Sequence, residues 1–204
     1  RLGNLELVAR LVVEGFVTGL HKSPYQGFSV EFSEHRQYMP GDEIRHIDWK
    51  VFGKSDRYYV KKFEEETNLR VYLVLDASQS MTYQFDGSGI SKLQYGCYLA
   101  ASLTYLMLKQ RDSVGLAIFD QQIRDYIPPR GVPTHLQAII SILESITAGA
   151  ETDVATVLHD LAKRIVRRGL VIVISDLLDQ PTKVLSALKH FRHRKHEVIV
   201  FHLL

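Results

Sequence analysis

The run RVYLVLDASQSM, Arg70 to Met81, breaks off an apolar stretch at Asp76 and then sets two hydroxyls at alternate positions, Ser78 and Ser80. Two later places match it in kind: Thr152 and Asp153 stand just ahead of a helical pattern, and Asp176 closes the apolar run GLVIVIS. Together these residues offer oxygen donors only, hydroxyls mixed with few carboxylates. Mg2+, or Mn2+ in its place, suits such a set, because magnesium prefers hard oxygen ligands in octahedral geometry and keeps several of its waters. So little protein charge leaves the ion electron-poor, and a carboxylate arriving from outside binds it strongly where water is partly excluded. Taken singly, Ser78, Ser80 and Thr152 read better as helix caps, since hydroxyls accept bonds from the free amides at a helix start. Their joint placement after strand ends favours the ion, because ligands of open α/β sheets collect beyond the carboxyl ends of the strands. Asp153 opens the periodicity of the helix it precedes and is assigned as that helix's N-cap, outside the site.

The elements that must position these residues follow from periodicity. From Arg70 onward the rhythm is strand RVYLVLD, a helix over about 91–109, strand SVGLAIFD, a short strand around IRDYIP, and helices over about 134–146 and 153–166. Then come GLVIVISD, a helix over about 182–193, and EVIVFHLL. One helix face carries Leu136, Ile139, Ile140, Leu143 and Ile146, and the next carries Val154, Val157, Leu158, Leu161 and Ile165, the spacing of one buried stripe each. VYLVL and LVIVI are apolar at every position, as parallel strands covered on both sides are. The expected fold is α/β: an open, mostly parallel Rossmann-type sheet with helices on both faces.

Before residue 68 the grammar differs. Leu5, Val8, Ala9, Val12 and Phe16 fall at helical spacing, a helix that ends near Gly15 or Gly19. The aromatic and charged stretch after it, with turn residues at Pro40-Gly41-Asp42 and Lys54-Ser55-Asp56, reads as short strands and loops. Residues 1–68 carry too little apolar surface to fold alone, so they are expected to pack on an α/β domain spanning 69–204. The chain starts at Arg1 without a methionine and stops within HEVIVFHLL, the look of a trimmed fragment.

Composition removes other classes. With 25 basic and 23 acidic residues the net charge is only +2, so no global field argues for nucleic acid or an anionic membrane surface. The lone Cys97 excludes an internal disulfide and a cysteine-based zinc cluster, and suits a reducing cytosol and a small core residue. No signal peptide opens the chain, and its apolar runs are too short to cross a bilayer; the chain reads as soluble. PGDEIRHIDW crowds charges, but pairing of Arg45 with Asp48 or Arg36 with Asp42, with Trp49 anchoring the loop against the sheet, is the expected use. GKS at Gly53 to Ser55 is no phosphate loop, because Asp48 occupies the place of the first glycine and no apolar strand leads in. His190, His193 and His196, in KHFRHRKH, are expected on a solvated basic helix end. A magnesium phosphohydrolase is the alternative function, with a strand-end Asp as nucleophile. Against it, the position two after Asp76 is Ser78, which cannot protonate a leaving group at neutral pH.

Asp76-Ala77-Ser78-Gln79-Ser80, followed by Thr152 and by Asp176 after an apolar strand, resembles the metal-ion-dependent adhesion site of von Willebrand factor type A domains. The resemblance implies that Ser78, Ser80 and Thr152 contact the ion, that Asp76 and Asp176 act directly or through water, and that a partner's acidic side chain completes the shell. In the third loop SDLLD stands where that family more usually has Asp-Gly, which leaves Asp179 as a rival for Asp176. The segment GLHKSPYQGFSVEFSEHRQYMPGDEIRHIDWKVFGKSDRYYVKKFEEE is similar to the signature of the bacterial domain-of-unknown-function 58 proteins, in which it leads directly into such a domain. That similarity implies work with a MoxR-type AAA+ ATPase in chaperone-like maturation or assembly of other proteins, and the leading reading of the chain is a noncatalytic, metal-dependent protein-interaction module in the cytoplasm.

Overall fold

The computed structural model of the chain describes residues 4–19, 35–39, 47–55, 57–61, 69–84, 89–149 and 153–204. The chain divides into two compact units, one of Arg1–Lys22 with Asn68–Leu204 and the other of Ser23–Thr67.

The larger unit is built on the strand β3, Arg70–Asp76, which is buried at every position after the first. Alternation along it supplies two layers. Val71, Leu73 and Leu75 face α3, Lys92–Lys109, and α4, Thr134–Ser145, meeting Cys97, Ala100, Ala101, Ile139 and Leu143. Tyr72 and Val74 join the opposite layer with α5, Val154–Arg164, and α6, Pro181–His193, where Val157, Leu158, Leu161 and Phe191 pack. α3 approaches closely because its inward face is small: a Cβ at Gly96 would lie 2.8 Å from Leu75 Cδ1. Helices therefore cover both faces, as the uninterrupted apolar strands require.

With β4, Ser113–Phe119, β5, Ile123–Arg130, β6, Leu170–Ser175, and β7, Glu197–His202, the strand order is β5-β4-β3-β6-β7. All pairings are parallel except β4 with β5. From β3 the chain steps outward to β4 and β5, then crosses to β6 and β7 on the other side. The order thus reverses between β3 and β6, the crevice where ligands of such sheets bind.

The helix α1, Leu5–Gly19, belongs to this unit, with Leu5 and Ala9 in the α3/α4 layer. Its buried stripe is Leu5, Ala9 and Val13, while Val12 is 53% exposed, a correction to the expected stripe; the side chain of Phe16 lies outside the described residues. A strict i, i+4, i+8 row suits a helix lying along a neighbour, and polar contacts set its phase. Leu5 N–H donates to Glu144 Oε1 at 3.4 Å, Gln137 donates to the Glu6 carboxylate, and Tyr105 O–H donates to Glu14 Oε1 at 3.3 Å.

In the smaller unit β1, His35–Gln37, pairs antiparallel with β2, Tyr59–Lys61. Between them is a helix, α2, Trp49–Ser55, where a turn at Lys54-Ser55 was expected. Asp48 Oδ1 starts it by accepting from Lys50 N–H at 3.0 Å and Val51 N–H at 3.3 Å. Trp49 is not a buried anchor: it is 57% exposed and meets Phe52 edge-on. The expected partners Asp42 and Arg45 lie outside the described residues, as does the side chain of Arg36.

The histidines after α6 also depart from expectation. His193 is exposed, but His196 is buried, edge-on to the rings of Tyr72 and Phe191, with Nε2 3.3 Å from the Ile165 carbonyl oxygen. His190 is half-buried with its Nδ1 3.1 Å from that of His159. A basic string therefore turns inward where the chain doubles back from α6 into β7. Cys97 is fully buried, and burial pushes its thiol up to about 12, so it is an inert core residue.

Candidate functional site

Asp76 ends β3 and Asp176 directly follows β6, so parallel pairing of these strands brings two carboxylates to one sheet edge. After Asp76 the backbone is extended at Ser78 and then makes a single 3-10 turn, Gln79–Thr82, which includes the fully buried Met81. Ser78 is the N-cap of that turn, yet its hydroxyl makes no capping bond. It lies instead 3.0 Å from Ser80 Oγ, and Ser80 O–H donates to Asp176 Oδ1 at 3.2 Å. The hydroxyls thus face each other and a carboxylate rather than backbone amides, and the capping explanation fails for both.

Asp76 sits behind this row, fully buried. Its Oδ1 accepts from Ser78 N–H at 2.9 Å and its Oδ2 from Ser175 O–H at 2.6 Å. Burial raises the Asp76 pKa above the ordinary carboxylate range; the bonds from the Ser175 hydroxyl and from Ser78 work against that rise, and the nearby Asp176 charge adds to it. Two close, buried carboxylates want a cation between them.

Asp153 caps α5, accepting from Thr156 N–H at 3.0 Å and Thr156 O–H at 2.9 Å, and these bonds lower its pKa. Asp179 is also engaged with α5: its Oδ2 accepts from Ala155 N–H at 3.1 Å. Of the two third-loop acids, Asp176 therefore joins the serines and Asp179 does not. Thr152 lies outside the described residues. The loop that leads toward it is tied to the site strand, because Gly149 N–H donates to the Ala77 carbonyl at 2.7 Å.

Three residues of the site were not anticipated. Ser175 orients Asp76 and also accepts from Leu177 N–H at 2.9 Å, holding Leu177 at φ 51°. That is the left-handed conformation in which glycine sits without strain, and it occurs in SDLLD at the position following Asp176. His202, at the end of β7, has Nε2 2.9 Å from the Asp176 carbonyl oxygen. Lys92 Nζ lies 3.3 Å from Asp176 Oδ2. Lys92 did leave a signal, since a cation in the first turn of a helix opposes the macrodipole. Ser175 and His202 left none beyond standing at strand ends.

The donor set fits a hard divalent ion. Oxygen separations of 3.0 and 3.2 Å along Ser78, Ser80 and Asp176 match the roughly 3 Å edge of an octahedron whose bonds are about 2.1 Å. Among the described residues no three His, Cys, Asp or Glu side chains gather as a metal-binding group, so an ion here would rest on hydroxyls. An open cleft of 640 Å³, lined by Gln79, Ser80, Thr82, Tyr83, Lys92 and Leu178, opens beside the row at Ser80.

A family model described as "Protein of unknown function DUF58" matches residues 34–204. Uncharacterized proteins of Mycobacterium tuberculosis and Mycobacterium bovis are 28% identical over the whole chain, which spans 64% of their length. Among solved structures, an aerotolerance-related membrane protein from Bacteroides fragilis aligns with a TM-score of 0.54 at 22% identity, covering 65% of this chain and 66% of that one. The conserved hypothetical protein BatB from Bacteroides thetaiotaomicron aligns with a TM-score of 0.50 at 22% identity, covering 65% of each chain. The likeness supports the α/β fold itself, a mostly parallel five-stranded sheet with helices on both faces. Among the described residues no helix is long and apolar enough to cross a membrane.

Proposed function

We propose that this chain, which belongs to the DUF58 family, is a noncatalytic protein-interaction module whose contact with its partner runs through a divalent ion. The observation that carries the reading is the pair of hydroxyls, Ser78 and Ser80, turned away from backbone amides and toward Asp176. Mg2+ or Mn2+ would be held by these two hydroxyls and Thr152, with Asp76 and Asp176 acting directly or through water. When bound, the ion would supply an open position and a positive charge for an acidic side chain of the partner. The protein's own part is to orient the donors: Ser175 and the Ser78 N–H hold Asp76, and the β6 end holds Asp176. The partner we favour is a MoxR-type AAA+ ATPase, in a cytoplasmic role of maturing or assembling other proteins.

Affinity capture with the purified chain tests this. An AAA+ protein should be recovered in Mg2+ and lost in chelator, and recovery that ignores the chelator refutes the ion-mediated contact.

The phosphohydrolase alternative differs in a measurable way. Asp76 accepts hydrogen bonds at both oxygens, an arrangement that orients a carboxylate and weakens it as a nucleophile. No acid stands two residues on to protonate a leaving group. Hydrolysis of a generic phosphate ester with Mg2+ is expected at background level, equal in wild type and Asp76→Asn. Turnover that vanishes in Asp76→Asn would instead identify a hydrolase.

A further inference from the structure

We infer that Lys92 is a specificity-determining residue of the cation site: its ammonium competes with the divalent ion for Asp176 and sets the affinity at which an ion can enter. The inference rests on the reading of the site as a divalent-ion centre and concerns how that centre selects its occupant.

The Asp176 side chain is only 2% exposed, and its two oxygens have different partners, Ser80 Oγ on Oδ1 and Lys92 Nζ on Oδ2. A buried carboxylate must be paired, because an unpaired charge away from water is costly. Lys92 provides that pairing from an unfavourable place, the first residue of α3, where the helix dipole repels a cation. The backbone there is rigid: Ser91 and Gln94 form a reciprocal capping box. What can move is the side chain, a flexible four-carbon stem. It borders the open cleft that Ser80 also lines, and its ammonium also lies 5.6 Å from the centroid of the exposed Tyr83 ring. The cleft and that ring give the ammonium somewhere to go.

A divalent ion reaching Ser78 and Ser80 meets an ammonium on the neighbouring carboxylate. A dication and a unit charge about 4 Å apart repel by roughly 30-fold in an equilibrium constant even under bulk-water screening. The ion can bind well only if Lys92 leaves Asp176 for the cleft, and that displacement is subtracted from its affinity. A monovalent ion, with half the attraction for the carboxylates, cannot displace it. Lys92 therefore excludes Na+ and K+ and keeps Mg2+ or Mn2+ binding weak enough to be reversible.

Calorimetry on wild type, Lys92→Met and Lys92→Arg, with MnCl2 and MgCl2 as titrants, tests the competition. Lys92→Met should bind Mn2+ about tenfold tighter than wild type, and Lys92→Arg should stay near wild type because it keeps the charge. Side-chain NMR of wild type gives a readout that needs no variant: the Lys92 ε-methylene and ammonium signals should shift saturably with Mg2+ and stay unmoved by equal ionic strength of NaCl. If Lys92→Met fails to fold, this second measurement decides. Saturable wild-type binding that Ser78→Ala abolishes, with Lys92→Met unchanged or weaker or with Lys92 signals indifferent to Mg2+, overturns the competition and leaves the ion site standing. No saturable binding in either wild type or Lys92→Met overturns both.

Discussion

Asp76→Asn should raise the stability of the protein in chelator while abolishing its response to Mg2+ and Mn2+. The two effects have one cause. Asp76 is fully buried, and its pKa is raised chiefly by that burial. A carboxyl whose folded pKa lies above its unfolded value binds a proton more tightly when folded. The associated stability is present below the ordinary carboxylate range, about pH 4, and is lost as pH rises through the folded pKa. Once ionised, Asp76 is therefore a destabilising group unless a cation offsets it. Asparagine keeps the shape, can still accept from Ser78 N–H, and removes the buried charge, for a gain of about 1 kcal/mol in the absence of ion. The same change removes the charge that attracts the ion, with an expected loss of 10- to 100-fold or more in ion affinity. Partner capture should fall with it. Thermal melts from pH 4 to 8, in chelator and in Mg2+, should show the advantage of Asp76→Asn over wild type growing as pH rises in chelator and shrinking or reversing when the ion is added. A Mg2+-induced rise in melting temperature that survives in Asp76→Asn would remove Asp76 from the ion's shell.

Gly169→Ala should cost about 3 kcal/mol or more of stability. Gly169 stands just before β6, and a Cβ there would lie 2.2 Å from the Arg70 carbonyl oxygen and 3.0 Å from Tyr72 Cε2. The first clash is with backbone, which no rotamer change relieves. Its own carbonyl accepts from Glu197 N–H at 3.1 Å, so retreat from β3 would strain the pairing with β7. The strands β3 and β6 must separate where they start, and Asp76 and Asp176 stand where they end. Loss of the Mg2+ response together with a lowered urea midpoint is the expected result. A variant with wild-type midpoint would mean that these strand starts part without cost to the sheet.

The first of these expectations draws on residues evident from the amino-acid string, and the second on a contact that only the folded chain reveals. The division is general. Uninterrupted apolar runs, 3.6-residue stripes and the string DASQS determined the sheet, the helices on both its faces, and the strand end that presents Asp76, Ser78 and Ser80, because these depend on near neighbours in the chain. Burial of Cys97 and the capping role of Asp153 followed from the same local logic. Tertiary structure decided what local pattern leaves open. Periodicity gives a helix a face but not its phase, so contact with α3 and α4 selected Val13 over Val12. The α2 helix is too short for its period to register, and His196 turns inward because a chain doubling back from α6 into β7 must fill the space beside Tyr72 and Phe191. The choice of Asp176 over Asp179, and the arrival of Ser175, Lys92 and His202, came from strands and helices that meet across long stretches of chain. Lys92 reaches Asp176 over 84 residues and Ser175 reaches Asp76 over 99. No local preference encodes such pairs; they exist because parallel β3 and β6 bring their carboxyl ends to one edge, where buried carboxylates require whatever hydroxyls and cations the fold delivers.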